Sequence, residues 1–386
     1  MKKIVSLLLT LALLFAAPLN CAAVNDNTLA EKEASTARHL LSLPVPNVGS
    51  IGGEWLVIGL ARSGRLTKEL ADCYYSNVIS YVKTVGSAKL HRSKSTDNSR
   101  VILALTATGK DPRNVSGYDL LKPLADFNYV KKQGINGAIW ALIALDAMQY
   151  EIPQDASVSS QTTREKLIGE IIWNQCSDGG WDLQNERFDP DVTGMALQAL
   201  APYYKSDPEV RAAVDKALAL MSVLQKDSGD FSVYSSVTPE SSAQIITALS
   251  ALHIDCRTDS RFVKNGCNVI DSMMGFSVEN GFAHSVNGGY NQMATEQAYY
   301  ALVAYERLQK CKTSLYDMTD LITKGDVNQS GAATIDDVTA VQKYLAALIP
   351  LSLLQQKIAD TDRDGIVDIN DASALQMQLS VSKELQ

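Results

Sequence analysis

Two short stretches near the C-terminus carry oxygen-bearing groups at the spacing of a calcium-binding loop. In the later stretch Gly365 is the sixth of twelve residues, where such a loop turns sharply. The oxygens at positions 1, 3, 5, 7, 9 and 12 would come from Asp360, Asp362, Asp364, the Ile366 carbonyl, Asp368 and Asp371. A hard cation favours several oxygens that converge from one segment, so the sequence predicts a Ca²⁺ site here.

The earlier stretch repeats the pattern around Gly331 and starts 34 residues before Asp360. Its ligands would be Asp326, Asn328, Ser330, the Ala332 carbonyl, Thr334 and Asp337. Because Ser330 is neutral where the later loop has an aspartate, this site should bind calcium less strongly. The chain is therefore expected to hold two calcium ions.

A third group of carboxylates could act as acids or bases. Asp189 and Asp191 flank a proline, and Glu240 lies further along the chain. A buried carboxylic acid can donate a proton, and paired carboxylates can cleave glycosidic bonds. The alternative is that Asp191 merely caps the helix that follows, and the local sequence favours this interpretation. Asp189, Asp191 and Glu240 are the candidate catalytic residues.

Six similar helices would position these groups. Each is apolar and rich in small residues, and their leucine anchors lie 45, 40, 55, 49 and 53 residues apart. Their predicted ranges are 54–63, 98–106, 136–145, 191–200, 241–249 and 296–302. This period indicates a repeat fold, either an open solenoid or a closed toroid, and the absence of an evident capping unit favours closure.

More highly charged, amphipathic helices fill the intervals and would form an outer ring. They are predicted over 28–43, 70–85, 118–132, 163–173, 210–224 and 262–274. A cavity would then be lined by the starts of the inner helices and by the loops before them. Its aromatic residues would be Trp55, Trp140, Trp181, Tyr234 and Tyr290. Together with the carboxylates, they would suit a polysaccharide or a small amphipathic ligand.

A turn motif recurs between the helices. Gln175-x-x-Asp-Gly-Gly-Trp181 is echoed by Gln225-x-x-Ser-Gly-Asp-Phe231 and, more weakly, by Glu279-Asn-Gly-Phe282. The arrangement resembles the prenyltransferase and squalene cyclase repeats of the terpenoid cyclase superfamily. The resemblance covers about residues 29–309 and implies an all-α fold with an (α/α)6 toroid, assigned here to 28–312. It implies less about activity, because related toroids also serve cobalamin carriers and complement-like proteins.

The acidic loop extends this resemblance in part. Asp189-Pro-Asp191-Val-Thr193 is similar to the D-x-D-D-T motif of squalene-hopene-type cyclases, whose middle aspartate protonates an alkene. Asp191 matches that aspartate, but Val192 replaces the next one. The Asp-x-Cys pair and distant histidine that hold zinc in a protein prenyltransferase do not occur, so no zinc is expected.

The duplicated loops, each ending in Asp and followed by a helix without an entering helix, resemble a type I dockerin over residues 325–386. That family attaches secreted enzymes to cohesin modules of a cellulosome scaffold. The resemblance implies cohesin contacts from Ile335, Asp336, Gln342 and Lys343 in one half, and from Ile369, Asn370, Gln376 and Met377 in the other. Residues 313–324 would be a linker.

Composition and the N-terminus limit the remaining functions. A net charge of -8 and the lack of a basic cluster argue against a nucleic-acid partner. Lys2 and Lys3 precede an apolar run that is typical of a signal peptide over 1–23, so the mature chain should be secreted without a membrane span. Cys256 and Cys267 could close a disulfide loop or be buried thiols.

We therefore expect an exported cellulosome component that docks onto cohesin, extracellular or at the cell surface, and that carries an accessory toroid able to bind a ligand. The alternative is an enzyme that degrades plant polysaccharide, a glycoside hydrolase or lyase, through toroid carboxylates. An isoprenoid cyclase is a weaker alternative, since isoprenoid diphosphates are cytosolic.

Overall fold

The computed structural model describes residues 23–232, 237–351, 353–362 and 364–384. All but the last residue of the predicted signal peptide lies outside them. None of the helices in the described ranges is both long and apolar enough to cross a lipid bilayer.

Six helical hairpins form the larger domain, each an outer helix followed by an inner one. The outer helices are α1 (Asp26–Leu41), α3 (Lys68–Val85), α5 (Phe127–Val130), α7 (Arg164–Trp173), α9 (Pro208–Leu224) and α11 (Val269–Met274). The inner helices are α2 (Trp55–Arg62), α4 (Ser95–Ala107), α6 (Ile135–Asp146), α8 (Pro190–Leu200), α10 (Pro239–Ala251) and α12 (Gln292–Gln309). Each inner helix contacts the next, and α12 packs against α2, which closes the ring. The predicted (α/α)6 toroid is confirmed.

The inner helices are apolar all round because the outer helices cover them. Almost every residue of α4, α6 and α10 is buried. Helices α8 and α10 come close together at Gly194, where a Cβ atom would lie 2.8 Å from the Cβ of Gln244. A larger residue at position 194 would therefore push the two helices apart.

Two predicted outer helices are much shorter than expected. Over 118–132 the chain forms a 3₁₀ turn at Lys122–Ala125 and then the single turn of α5, because Pro123 cannot continue a helix and the Asp126 carboxylate caps a new one. Over 262–274 only α11 is helical, since Asn268 begins it with a capping box. A hairpin of β1 (Ser277–Val278) and β2 (Gly281–Phe282) follows, with Ser277 opposite Phe282.

The turn motif holds neighbouring repeats together. The Gln175 amide donates hydrogen bonds to the carbonyl oxygens of Gly179 and Ala213, so it bridges its own turn and helix α9. Gln225 makes the equivalent bonds to Gly229 and Phe262. Gly179 has φ +109°, a conformation that favours glycine. The motif is therefore structural.

Residues 313–321, predicted to be part of a linker, pack tightly against the toroid. The buried Arg62 guanidinium donates to the carbonyl oxygens of Leu315 and Asp317 at 2.9 and 2.7 Å and pairs with Asp320 at 2.8 Å. Arg307 pairs with the second oxygen of Asp320 at 2.7 Å. We call residues 313–321 the strap, because two arginines on inner helices fasten it to the toroid.

A smaller C-terminal domain follows the strap. Helices α13 (Ile335–Leu345), α14 (Leu353–Ala359) and α15 (Ile369–Glu384) belong to it, and it has its own apolar core, which includes Val338 and Leu375. Helix α14 runs directly into the second loop, so the expectation that neither loop has an entering helix is wrong for this one. Arg113 of the toroid donates to the Asn328 carbonyl at 2.8 Å, which joins the first loop to the larger domain.

Cys256 is a buried free thiol. Of the two alternatives left open for Cys256 and Cys267, the disulfide loop is therefore not formed.

Candidate functional site

A cavity of about 490 Å³ opens at the N-terminal ends of the inner helices. Its volume lies within the range of small-molecule sites. Most of the helical residues in its wall lie in the first two turns of the inner helices, and Tyr300 lies deeper along α12. The wall is formed by Trp55, Thr96, Arg100, Asn136, Trp140, Asp189, Asp191, Met195, Thr238, Glu240, Ser241, Gln244, His284, Met293, Gln297 and Tyr300.

The cap of helix α8 is Asp189 and not Asp191. The Asp189 side chain accepts hydrogen bonds from the backbone N–H groups of Asp191 and Val192 at 2.9 and 3.0 Å. Pro190 occupies the first helical position, where proline is favoured. The Asp189 side chain is therefore occupied by the helix cap, and the Asp191 carboxyl group is available to the cavity. The interpretation of Asp191 as the cap is wrong.

Asp191 is held in a setting that favours its neutral form. Its pKa is raised to about 6, mainly by burial, with smaller contributions from the negative charges of Asp189 and Glu240 and against a hydrogen bond with Ser241 that lowers it. Its Oδ1 atom has no hydrogen-bond partner among the described residues. At mildly acidic pH this side chain can act as a proton donor, and at neutral pH it can act as an acceptor.

Glu240 lies in the first turn of α10 beside Asp191. Its carboxylate is buried, and its Oε1 is 2.8 Å from Nδ1 of His284, whose side chain is about half exposed. The second oxygen of Glu240 has no partner among the described residues. The cavity thus offers two carboxyl groups with available oxygens and an imidazole that is hydrogen-bonded to one of them.

Aromatic rings form one side of the cavity. The Trp55 ring centroid lies 4.9 Å from that of Trp140 and 6.1 Å from that of Tyr300. The Gln244 amide donates to the Tyr300 hydroxyl at 2.7 Å and so orients it. The cavity wall therefore combines flat apolar surface with acidic groups, as expected for an amphipathic ligand.

Some of the sequence-predicted cavity residues lie elsewhere. Trp181 is fully buried and donates its indole N–H to the Ile171 carbonyl at 2.8 Å, so it is a core residue and its assignment to the cavity is wrong. Tyr290 packs edge-on against His39, with ring centroids 4.8 Å apart, away from this opening. Tyr234 lies outside the described residues. Trp55 and Trp140 line the cavity as predicted.

The sequence interpretation missed several cavity residues. They are Thr96, Arg100, Met195, Thr238, Ser241, Gln244, Met293, Gln297 and Tyr300. Their positions at the starts of inner helices were the available signal, since the first turns of all six helices face the same opening. Only Tyr300 lies deeper along its helix, and no local pattern distinguishes it from a core residue.

Two buried glutamates lie near the cavity but outside its wall. Glu54 accepts from the Tyr74 hydroxyl at 3.2 Å and pairs with Arg100 at 3.3 Å, yet burial raises its pKa to about 7. Glu296 accepts from the Gly52 N–H at 2.8 Å, and burial raises its pKa to about 7 as well, with a contribution from the charge of Glu54. Both side chains cost folding free energy when they ionise.

These two groups make the toroid less stable as pH rises. Because each folded-state pKa lies above the ordinary value of 4.5, the stabilisation is present below about pH 4.5 and is lost as pH rises to about 7. We expect each glutamate to contribute about 2 kcal/mol of the stability difference between pH 5 and pH 8. This difference is measured by urea unfolding, with tryptophan fluorescence as the signal, since all four tryptophans lie in the toroid.

The variant Glu296→Gln should remove about half of that difference. Glu31→Gln, at an exposed position of α1, is the matched control and should leave the pH profile unchanged. Equal stability of the wild-type toroid at pH 5 and pH 8 would contradict the prediction.

The two loops of the C-terminal domain have geometry that fits calcium. In the second loop, carboxylate oxygens of Asp360, Asp362 and Asp364 lie within 4.8 Å of one another. One oxygen of Asp360 is buried without a protein partner. Such convergence suits a hard cation, which would supply the missing partner. Asp368 completes the loop, and buried Asp371 accepts from the Thr361 N–H at 2.7 Å, which fixes its orientation.

The first loop is built in the same way with fewer charges. Asp326 accepts from the N–H groups of Ser330 and Gly331, both at 2.8 Å, and buried Asp337 accepts from Asn328 at 2.8 Å. Only Asp326 and Asp337 are carboxylates in the expected ligand set, against five in the second loop. The remaining oxygens would come from Asn328, Ser330, the Ala332 carbonyl and Thr334.

Comparison with known proteins agrees with this geometry. Residues 324–380 match the dockerin type I domain. This segment is a type I dockerin. A dockerin implies attachment to a cohesin.

The chain is similar to the structure of ent-copalyl diphosphate synthase from Streptomyces platensis, with 19% sequence identity and a TM-score of 0.43. The similarity covers 65% of this chain and 49% of that one, so this chain spans about half the length of that chain. No curated protein matches the sequence.

The dockerin residues expected to contact cohesin are all on the surface. Ile335 and Ile369 are each 60% exposed, and Met377 is 63% exposed, which is high for apolar side chains. The polar members of the two sets are exposed as well: Asp336, Gln342, Lys343, Asn370 and Gln376. Each half of the dockerin therefore presents an isoleucine at the start of a helix, with amides on the same surface.

Proposed function

We propose that this protein is an exported cellulosome component whose toroid binds an amphipathic ligand, such as a segment of polysaccharide, in the cavity at the N-terminal ends of the inner helices. One observation carries the proposal: the wall of this cavity combines the aromatic rings of Trp55, Trp140 and Tyr300 with the carboxyl groups of Asp191 and Glu240. Sugar rings stack on aromatic side chains through their C–H faces and donate hydroxyl hydrogen bonds to carboxylates.

The dockerin would supply the location. We propose that it binds cohesin through Ile335, Asp336, Gln342 and Lys343, or through Ile369, Asn370, Gln376 and Met377, and that both loops hold calcium. The two sets are nearly equivalent, so the module could dock in either of two orientations. The toroid would then act beside other proteins on the same scaffold.

Ligand binding is tested by titrating a panel of soluble oligosaccharides and measuring the unfolding temperature. A ligand that binds only the folded toroid raises the unfolding temperature, and the increase grows with the logarithm of its concentration relative to Kd. Trp55→Ala should remove this stabilisation. Trp173→Ala is the matched control, since Trp173 is 82% exposed at the end of outer helix α7. A panel without any stabilising member, or equal loss in both variants, would contradict the proposal.

A second candidate function is cleavage of the bound polysaccharide by hydrolysis or lyase chemistry. It is favoured by the Asp191 carboxyl group, whose pKa of about 6 and unpartnered oxygen suit a general acid, with Glu240 beside it as a base. An isoprenoid cyclase would use Asp191 in the same role, but Val192 stands where that motif has a further aspartate.

We expect Asp191→Asn to lower any glycan cleavage by about a hundredfold or more, since general acid catalysis contributes that much. Glu240→Gln should have a comparable effect. The assay is release of reducing ends or unsaturated products. Asp207→Asn is the control: Asp207 caps outer helix α9 as Asp189 caps α8, and asparagine caps equally well. Unchanged product release by Asp191→Asn would exclude this mechanism, and an inactive wild type would leave the binding function alone.

A further inference from the structure

A second and larger cavity, of about 810 Å³, opens at the opposite end of the toroid. Its wall comes from the last turns of α6, α8 and α10, whose first turns line the cavity described above. The strap closes one side, with Tyr316 facing the space. This volume also lies within the range of small-molecule sites.

The two cavities are separated by packed side chains. Trp140 of the first cavity meets Tyr316 of the second edge-on, with ring centroids 5.8 Å apart. Beside them, the Gln198 amide donates to Oε1 of Gln244 at 2.9 Å, and this bond spans the same level of the ring. A ligand in one cavity therefore does not enter the other without displacing these groups.

Buried polar atoms in the second cavity lack partners. Gln198 and Tyr316 are both more than nine-tenths buried and both line the cavity. The Gln198 Oε1 atom and the Tyr316 hydroxyl have no hydrogen-bond partner among the described residues. Buried polar groups are nearly always hydrogen-bonded, so these two atoms indicate a ligand that offers both a donor and an acceptor.

The charges in the second cavity balance, which disfavours a strongly charged ligand. Asp146 accepts from Arg164 at 2.7 Å and from the Tyr203 hydroxyl at 2.7 Å, so this acid is neutralised and the tyrosine ring is fixed. The remaining charged groups are two of each sign: Lys205, Lys312, Glu151 and Asp317. Tyr203 and Tyr204 add aromatic surface.

We propose that this cavity is a second binding site of the toroid, for a neutral polyhydroxylated ligand such as an oligosaccharide. The tyrosine rings stack against the ligand, while the Tyr316 hydroxyl and the Gln198 carbonyl oxygen exchange hydrogen bonds with its hydroxyl groups. The two cavities have no wall residue in common, so this proposal does not depend on the function proposed for the first cavity.

The test uses the full chain and three probes: cellotetraose, xylotetraose and mannotetraose. Each probe is added at millimolar concentration, and its binding is measured by isothermal titration calorimetry. At least one probe should bind the wild type. Tyr316→Phe keeps the ring and removes the hydroxyl, so binding should weaken about fivefold, the effect of one neutral hydrogen bond. Ala251→Trp fills the cavity and should abolish the same binding. Circular dichroism establishes that both variants are folded.

Two controls separate this site from other positions. Tyr305→Phe removes a hydroxyl that bonds to Asp255 outside both cavities and should bind as the wild type does. Asp191→Asn alters the first cavity and should retain the Tyr316-dependent binding. The proposal is overturned if no probe binds, if Ala251→Trp binds normally, or if Asp191→Asn abolishes the binding that Ala251→Trp retains.

Discussion

Removal of calcium is expected to unfold the dockerin and to abolish its binding to cohesin. Without a cation, the carboxylates of Asp360, Asp362 and Asp364 repel one another within 4.8 Å, and the small core of this domain is too limited to offset that repulsion. The measurements are far-UV circular dichroism and cohesin titration, each with excess chelator and again after calcium is restored. An unchanged spectrum together with unchanged cohesin affinity in chelator would contradict the prediction.

Single substitutions should separate the two calcium sites. Asp371→Asn removes a charge from a buried ligand of the second loop and should weaken the tighter calcium-binding event by about a hundredfold or more, since changes outside the ligand set already cost up to that much. Asp337→Asn should affect only the weaker event. Asp336→Asn, an exposed neighbour outside the ligand set, is the control for calcium titration and folding. A loss of the tighter event in Asp337→Asn, with the weaker event unchanged, would reverse the assignment.

Replacement of Arg62 should destabilise the toroid by loosening the strap. Its side chain is 1% exposed and bonds to Asp320, Thr313 and three carbonyl oxygens of the strap. Arg62→Met leaves the carbonyl oxygens of Leu315 and Ser314 without this donor, whereas Asp320 keeps its pair with Arg307. A buried acceptor left unpaired costs about 1–3 kcal/mol. The free energy of unfolding is measured by urea titration with tryptophan fluorescence.

Lys68→Met provides the matched control for Arg62→Met. Lys68 also pairs with an aspartate, Asp72, but its side chain is 85% exposed, so the change should stay within about 0.5 kcal/mol. A loss of less than about 1 kcal/mol in Arg62→Met would show that the strap is held mainly by other contacts. Arg62→Met should also weaken ligand binding in the second cavity, because Tyr316 lies on the strap.

The sequence predicted the inner helices better than the outer ones. A helix covered on all sides must be apolar throughout, so the inner helices stand out from the rest of the chain. The outer positions tolerate breaks such as Pro123 and Asn268, because each outer helix packs through a single face. Periodicity alone therefore overestimated the length of two outer helices.

Local sequence also identified candidate residues without assigning their roles. Two aspartates flank Pro190, and either could have capped α8, although proline at the first helical position is a signal that the cap precedes it. Trp181 belonged to a visible motif, but whether a tryptophan faces a core or a cavity depends on the neighbouring helices. The hydrogen bond from its indole N–H to the Ile171 carbonyl holds Trp181 in the core.

By itself, the sequence determined the calcium loops and the helical repeat, since both depend on residues that are close together along the chain. A metal loop of twelve residues carries its whole ligand set, and a helix carries its own periodicity. Only the tertiary structure decided which carboxyl group reaches the cavity, that the strap is fastened by Arg62 and Arg307, and that the toroid opens at two ends. Those features depend on how separate elements pack, as where Arg62 meets Leu315, 253 positions further along the chain, and the free energy of such contacts leaves no local pattern.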